Sequence, residues 1–362
     1  MPASIPMVDT VAEYRAFKDE IDAAFARVMA SGRFVLGPEG EAFERELAAY
    51  TGAKHAVGVN SGTDALHLAL VAAGIGKGDE VIIPSFTFFA TGEAVSYTGA
   101  TPVFADVDPK TFNLDPESLR ITKKTRAIIV VHLFGQCADL AAIAKICQAK
   151  KLVLIEDCAQ SLGADYKGVK CGSWGDFGCF SFYPTKNLAA AGDAGLVTTN
   201  DKSYDETLRM LRHHGSRKTY LHERVGWNSR LDELQAALLR IKLRRLDELN
   251  AARRKVAAHY RANLTGVDLP VEDPRGTHVY HQFTVQSAKR DAIREALAKQ
   301  GISSSVFYPM PLHKQPAYSR KAKQVSLPVS EKLARRVLSL PIHPYLKTAA
   351  VDRICDALQA AA

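Results

Sequence analysis

Two short stretches carry side chains suited to carbonyl chemistry. Leu152-Val153-Leu154-Ile155 reads as an apolar strand that stops abruptly at two acids, Glu156 and Asp157. Phe180-Ser181-Phe182-Tyr183 then runs into a proline turn, Pro184-Thr185, that carries a single lysine, Lys186. A carboxylate at a strand end is costly to bury unless something cationic meets it. A lysine kept from water loses proton affinity and becomes a nucleophile. Taken singly, each has an ordinary reading, the acids as a helix cap or surface group and the lysine as an exposed turn residue. Taken together they meet the needs of a pyridine cofactor. The acid keeps the ring nitrogen protonated, so that the ring withdraws electrons, and the lysine holds the aldehyde as a Schiff base and moves a proton.

Two further stretches suit the rest of such a cofactor. Val57-Gly58-Val59-Asn60-Ser61-Gly62-Thr63-Asp64 is a strand, a small-residue turn and a helix start. Free N–H groups and the helix dipole at such a start attract a phosphate. Ser and Thr also cap helices everywhere, so this segment signals an anion only beside the other two. Phe88 and Phe89, in Pro84-Ser-Phe-Thr-Phe-Phe-Ala-Thr91, offer a ring to stack on the cofactor, with core packing the expected fate of one of the pair.

A sheet with its strand ends together would position these groups. Short apolar runs at His55–Val59, Glu80–Ile83, Pro102–Ala105, Ala127–Val131, Leu152–Ile155, Gly178–Phe182 and Gly195–Thr198 alternate with helical stretches such as Gly62–Ala73, Phe88–Ser96 and Leu140–Ala149. Apolar throughout rather than alternating, they predict strands buried on both faces of a mainly parallel sheet between helices. Ligands bind such sheets beyond the C-terminal strand ends. Leu231, Leu234, Leu238, Ile241 and Leu249 predict one long helix from Asp232 to about Ala262. Beyond it, strands are expected at Val279–Gln286 and Ser303–Phe307, and helices at Asp291–Lys299, Ser330–Leu338 and Ala349–Ala361. The proline- and aromatic-rich loop Tyr308–Tyr318 is too apolar for a linker and should pack against something, a site included. The expected division is a large α/β domain, 1–245, and a small C-terminal α+β domain, 246–362.

The 362 residues are 47% hydrophobic and 24% charged, enough to bury a sizeable core. No apolar run is long enough to span a bilayer, and the N-terminus lacks a signal-peptide pattern. Six scattered cysteines without a C-x-x-C pair argue against a metal site or a disulfide framework and favour the cytoplasm. The net charge is +8. Its densest stretches are Arg212–Lys218 and Lys242–Arg245, and neither interleaves aromatics as a nucleic-acid surface would. The first suits either a solvated loop or a small anionic ligand, the second a solvated helix face.

The joint order of these motifs resembles the DegT-type (StrS-type) nucleotide-sugar aminotransferases, enzymes of pyridoxal 5′-phosphate (PLP) fold type I. The resemblance covers nearly the whole chain. It is carried by F-V-L-G-P-E (34–39), N-S-G-T-D-A-L (60–66), P-S-F-T-F-F-A-T (84–91), P-V-F-A-D-V-D (102–108), H-L-F-G-Q (132–136), E-D-C-A-Q-S-L-G-A (156–164), S-F-Y-P-T-K-N-L (181–188), G-W-N-S-R-L-D-E-L-Q-A-A (226–237) and Y-P-M-P-L-H-K-Q-P-A-Y (308–318). The resemblance implies a large domain with a mainly parallel seven-stranded sheet and a small α+β domain. It implies that Lys186 forms the Schiff base, Asp157 pairs with the pyridine nitrogen, Gln160 contacts the ring hydroxyl and Phe88 stacks on the ring. Gly62 and Thr63 would offer N–H groups to the phosphate and Ser181 its hydroxyl, with Asn228 arriving from the neighbouring subunit of a homodimer. Tyr183, Arg230, Tyr308 and His313 are looser candidates for the sugar or its nucleotide, or for interface packing.

The chain departs from the family pattern at Ala190-Ala-Gly-Asp-Ala194, where glycine is commoner, and at Cys158, where alanine is. Neither change removes a chemical group. Sugar dehydratases of the family carry histidine in place of the lysine, so Lys186 favours transamination. The expected reaction is ping-pong, from glutamate through pyridoxamine phosphate to a UDP- or dTDP-linked keto-sugar, giving an amino sugar for surface polysaccharide or glycoconjugate. The diphosphate accounts for the basic balance. The alternatives are another PLP reaction on the same scaffold, such as dehydration or cyclitol amination, or a non-catalytic PLP-binding regulator. A regulator need not keep Asp157, Gln160 and Lys186 together.

Overall fold

The structure is a computed structural model that describes residues 4–218, 220–319 and 325–362. Seven strands form the main sheet: β1 (His55–Val59), β2 (Glu80–Pro84), β3 (Thr101–Ala105), β4 (Thr125–Val131), β5 (Val153–Asp157), β6 (Phe177–Ser181) and β7 (Gly195–Thr199). Their order is β1-β7-β6-β5-β4-β2-β3. The β3–β2–β4–β5–β6 neighbours run parallel, while β7 lies antiparallel to both β6 and β1. The sheet expected from the apolar runs is therefore present.

Alternation within each strand divides the core in two. Ile128 and Val130 of β4 pack on one face with Leu140 and Ile143, and Ala127 and Ile129 pack on the other with Leu66 and Leu68. The covering helices are α1 (Thr10–Ser31), α2 (Pro38–Thr51), α3 (Gly62–Ala72), α4 (Phe89–Tyr97), α5 (Leu140–Lys150), α6 (Lys202–Leu211) and α7 (Glu233–Leu243). A separate cluster gathers Val256, Ala257, Tyr260, Phe283, Leu340 and Ile354, and Ile5 from the N-terminus joins it through a parallel bridge to Ile302.

The long helix expected from Asp232 is two helices. It breaks after α7, and α8 runs Leu246–Asn263. Arg245 leaves helical geometry at φ −111°, ψ 6°. The break lets Ala236 and Leu239 of α7 pack in the first core while Val256 and Tyr260 of α8 pack in the third. Two further expectations fail in the C-terminal part. Ser303–Phe307 is not a strand, since only Ser305 bridges, to Ser339. The expected Val279–Gln286 strand shortens to β8 (Phe283–Gln286). Its partner is β9 (Val337–Leu340), which takes over where α10 (Pro328–Arg336) ends after α9 (Arg290–Lys299). Val337 to Leu340 are buried and paired residue by residue with β8, so ladder formation overrides the helical period read through Leu338. The last helix, α11, spans Thr348–Gln359. Among the described residues no helix is long and apolar enough to cross a membrane.

Candidate active site

The C-terminal ends of β4, β5 and β6 open into a cavity of about 540 Å³ lined by Val131, Asp157 and Ser181 from those ends and by Lys186 beyond them. Lys186 is placed by a tight turn. Its N–H donates to Tyr183 O at 2.8 Å, and Pro184 occupies the second turn position, where its fixed φ belongs. The surrounding protein desolvates the amine and pulls its pKa down to about 8, with Asp157 opposing. Part of the side chain remains exposed, and the cavity that it lines is what it is exposed to.

The two adjacent acids face opposite ways, as strand alternation demands. Glu156 turns inward and is 0% exposed. It accepts the N–H groups of Gly172, Trp174 and Gly175, each at 2.8 Å, and lies 3.0 Å from His132 Nε2. Asp157 faces the cavity. Its Oδ2 accepts from Thr91 Oγ1 at 2.9 Å and its Oδ1 from Ala159 N–H at 3.2 Å. Burial raises its pKa, against the two hydrogen bonds and the Lys186 charge.

One end of the cavity is the start of α3. Ser61 Oγ takes the Asp64 N–H at 3.1 Å and Ser61 O takes the Ala65 N–H at 3.0 Å. Gly62 and Thr63, which line the cavity, precede these and have no intrahelical acceptor to reach. Two glycines make the close approach possible. A Cβ on Gly195 would stand 2.2 Å from Ser61 O, and one on Gly62 would stand 2.6 Å from Ser181 Cβ. Ala190 and Ala194 are absent from the positive-φ residues, so alanine at these departures from the family pattern is unstrained.

Gln160, Phe88, Tyr183 and Tyr308 also line the cavity. Gln160 Oε1 accepts from Phe134 N–H at 2.8 Å and its Nε2 donates to Tyr308 Oη at 3.0 Å. The phenylalanine pair divides: Phe88 is 58% exposed at the cavity, whereas Phe89 packs against Tyr318 with ring centroids 5.4 Å apart. Three candidates stand outside this chain's cavity. Asn228 is exposed on a bridge to His213, and Arg230 Nη1 lies 3.2 Å from His213 Nδ1. His313 is buried, with Nδ1 2.6 Å from Ser85 Oγ and Nε2 3.1 Å from Glu331 Oε1. Its two nitrogens tie the turn after β2 to α10.

Sequence reasoning missed Thr91, Asp193, His281 and Gln282, the last three of them on the cavity wall. Thr91 lies in the first turn of α4, and its hydroxyl is 3.1 Å from that of Thr87 in the bend before the helix. His281 gave no signal inside what reads as a strand.

A half-buried lysine facing a cavity acid across the C-terminal edge of such a sheet, with a helix start at one end of the cavity, defines a PLP-dependent transaminase fold. The chain belongs to the DegT/DnrJ/EryC1/StrS aminotransferase family, which it matches over residues 15–359. It is 48% identical to the UDP-N-acetyl-3-dehydro-α-D-glucosamine 3-aminotransferase of Acidithiobacillus ferrooxidans, an alignment covering 98% of this chain and 97% of that one. It is also 48% identical to the dTDP-3-amino-3,4,6-trideoxy-α-D-glucose transaminase of Streptomyces venezuelae, covering 98% and 95% of the two chains. The crystal structure of S. venezuelae DesV in complex with a ketimine intermediate superposes with a TM-score of 0.96 at 48% identity, covering 99% of this chain and 98% of that one.

Proposed function

We propose that this chain, with PLP bound in the cavity, transfers an amino group from glutamate to the C3 carbonyl of a UDP- or dTDP-linked keto-sugar. The observation that carries the reading is the pairing of Lys186, its amine near pKa 8, with Asp157, a buried carboxylate that faces the same cavity. The two 48% identical relatives, both named for a 3-amino or 3-dehydro sugar, support position 3.

The residues present fit the cofactor. Asp157, held by Thr91 and Ala159, would accept the ring N–H. The Gly62 and Thr63 N–H groups and the Ser181 hydroxyl would hold the phosphate. Phe88 would cover the ring and Gln160 its hydroxyl. Bound there, the cofactor supplies an electron-poor ring that stabilises negative charge on the carbon bearing the amine. Lys186 Nζ takes the proton from that carbon and holds it until it is returned. Tyr183 and Tyr308 flank the sugar. A second copy of the chain completes the site, with Asn228 and Arg230 reaching across from a surface that lies outside their own cavity. The buried, free cysteines suit a reducing cytoplasm, and the amino sugar would serve surface polysaccharide or glycoconjugate assembly.

The test is two half-reactions on PLP-loaded protein. Glutamate alone should bleach the yellow cofactor and release one equivalent of 2-oxoglutarate. A UDP- or dTDP-linked 3-keto-sugar should then restore the colour and gain an amino group by mass spectrometry. Protein that glutamate leaves yellow, or that aminates no nucleotide-linked keto-sugar, would overturn the reading.

A further inference from the structure

The Lys186 turn is braced by a side-chain relay that also fixes the tautomer of a cavity histidine. Asn250 Nδ2 donates to Leu162 O at 3.1 Å. Asn187 Nδ2 donates to Asn250 Oδ1 at 2.8 Å and to Val279 O at 3.0 Å. Backbone carbonyls only accept, so they orient both amides. Asn187 Oδ1 is thereby left facing His281 Nδ1, 3.2 Å away. An amide oxygen has no proton to give, so His281 carries its proton on Nδ1 and keeps a lone pair on Nε2. His281 is 5% exposed and lines the cavity, and no donor among the described residues reaches its Nε2. Burial, aided by the charges of Lys186 and Arg253, pushes its pKa well below the usual histidine value, so the ring stays neutral.

We propose that His281 Nε2 accepts a hydrogen bond from the ammonium form of Lys186 once that amine is free, which makes His281 a positioning residue for proton transfer. The assignment rests on Lys186 being the reacting amine of the proposed function. A fixed lone pair needs a donor, and Lys186, whose charge acts on the ring, is the one cation among the described residues that line the cavity. The other titratable groups on that wall are Asp157, Asp193, Tyr183 and Tyr308. Asp157 already accepts from Thr91 and Ala159, and Tyr308 Oη accepts from Gln160. Asn187 follows Lys186 directly, so the amide that locks the tautomer also anchors the turn carrying the amine. Asn187 thus joins the turn that carries the amine to the imidazole.

An acceptor for the ammonium form raises the pKa of Lys186 against the effect of burial, and its loss should lower that pKa by about one unit. The test follows acetylation of Lys186 by brief acetic anhydride pulses across pH, read by peptide mass spectrometry on the cofactor-free full chain. Bleaching of the holoenzyme by glutamate is read separately, so a failure of the transaminase reading shows there. His281→Asn keeps a donor toward Asn187 but is too short to place an acceptor at Nε2, and His281→Gln restores a far acceptor. The midpoint should fall about one unit in His281→Asn and stay with the parent in His281→Gln. Should His281→Asn fail to fold, His281→Leu makes the same comparison. Equal midpoints in the parent and the folded variants overturn the proposal. So does an unmoved midpoint with a raised sugar KM, which assigns His281 to the substrate.

Discussion

Thr91 Oγ1, one turn inside α4, donates to Asp157 Oδ2 at the end of β5 over 2.9 Å. The acid is therefore aimed by a helix as well as by its own strand. Phe88 is the N-cap of the same helix, so one element carries both the cavity-facing phenylalanine and the clamp on the carboxylate.

Thr91→Val removes this hydrogen bond at nearly constant volume. A hydrogen bond to a charged group is worth about 1.5–3 kcal/mol, or roughly 10–100-fold in affinity. The PLP dissociation constant, measured by absorbance titration, should rise by that factor. An unchanged constant would show that Asp157 keeps its aim without the helix.

Glu156→Gln tests the other acid. Three backbone N–H groups converge on its carboxylate, and His132 makes a fourth contact. An amide nitrogen placed among those donors leaves some of them unpaired in the interior. Stability measured by urea unfolding should fall by about 3–5 kcal/mol. The variant that still folds at low temperature should keep a bound-cofactor spectrum close to the parent's, since Glu156 does not line the cavity.

Much of the sheet was legible because its strands are buried on both faces, and continuous apolar runs such as Ala127–Val131 have few other fates. The pair Asp157 and Lys186 was legible for the same reason, since each closes or follows such a run. The break at Arg245 was not, because each side keeps its own helical period and only the division between two cores separates them. The Asn250–Asn187–His281 relay was equally hidden. Its members lie on three distant segments, and amide side chains carry no periodic signature.

His313→Ala separates packing from substrate binding. The ring joins Ser85 to Glu331 and lies outside the cavity. Ser85 Oγ keeps the His313 N–H at 3.3 Å but loses its bond to the buried ring, which should cost about 1–3 kcal/mol in unfolding free energy. The KM for the nucleotide-sugar should stay within about twofold, because less than a kcal/mol of binding is at stake. A KM raised tenfold in a variant of unchanged stability would assign His313 to the substrate.

Lys186 gives the protein a pH dependence with a definite sign. Its pKa in the folded, cofactor-free chain is about 8, against an ordinary 10.5. Burial disfavours the charged amine, so the folded state is penalised wherever Lys186 is protonated. Below about 8 both folded and unfolded chains hold the proton and the penalty is complete. Between about 8 and 10.5 only the unfolded chain holds it, so the penalty shrinks as pH rises, and above 10.5 it vanishes. Cofactor-free Lys186→Met should therefore melt above the parent near neutral pH, and the gap should close on raising the pH through this window. Melting curves of the two proteins in matched buffers check the sign. A gap that stays constant, or widens with pH, would mean that the amine is hydrated in solution. Its nucleophilic reactivity would then have to come from something other than burial.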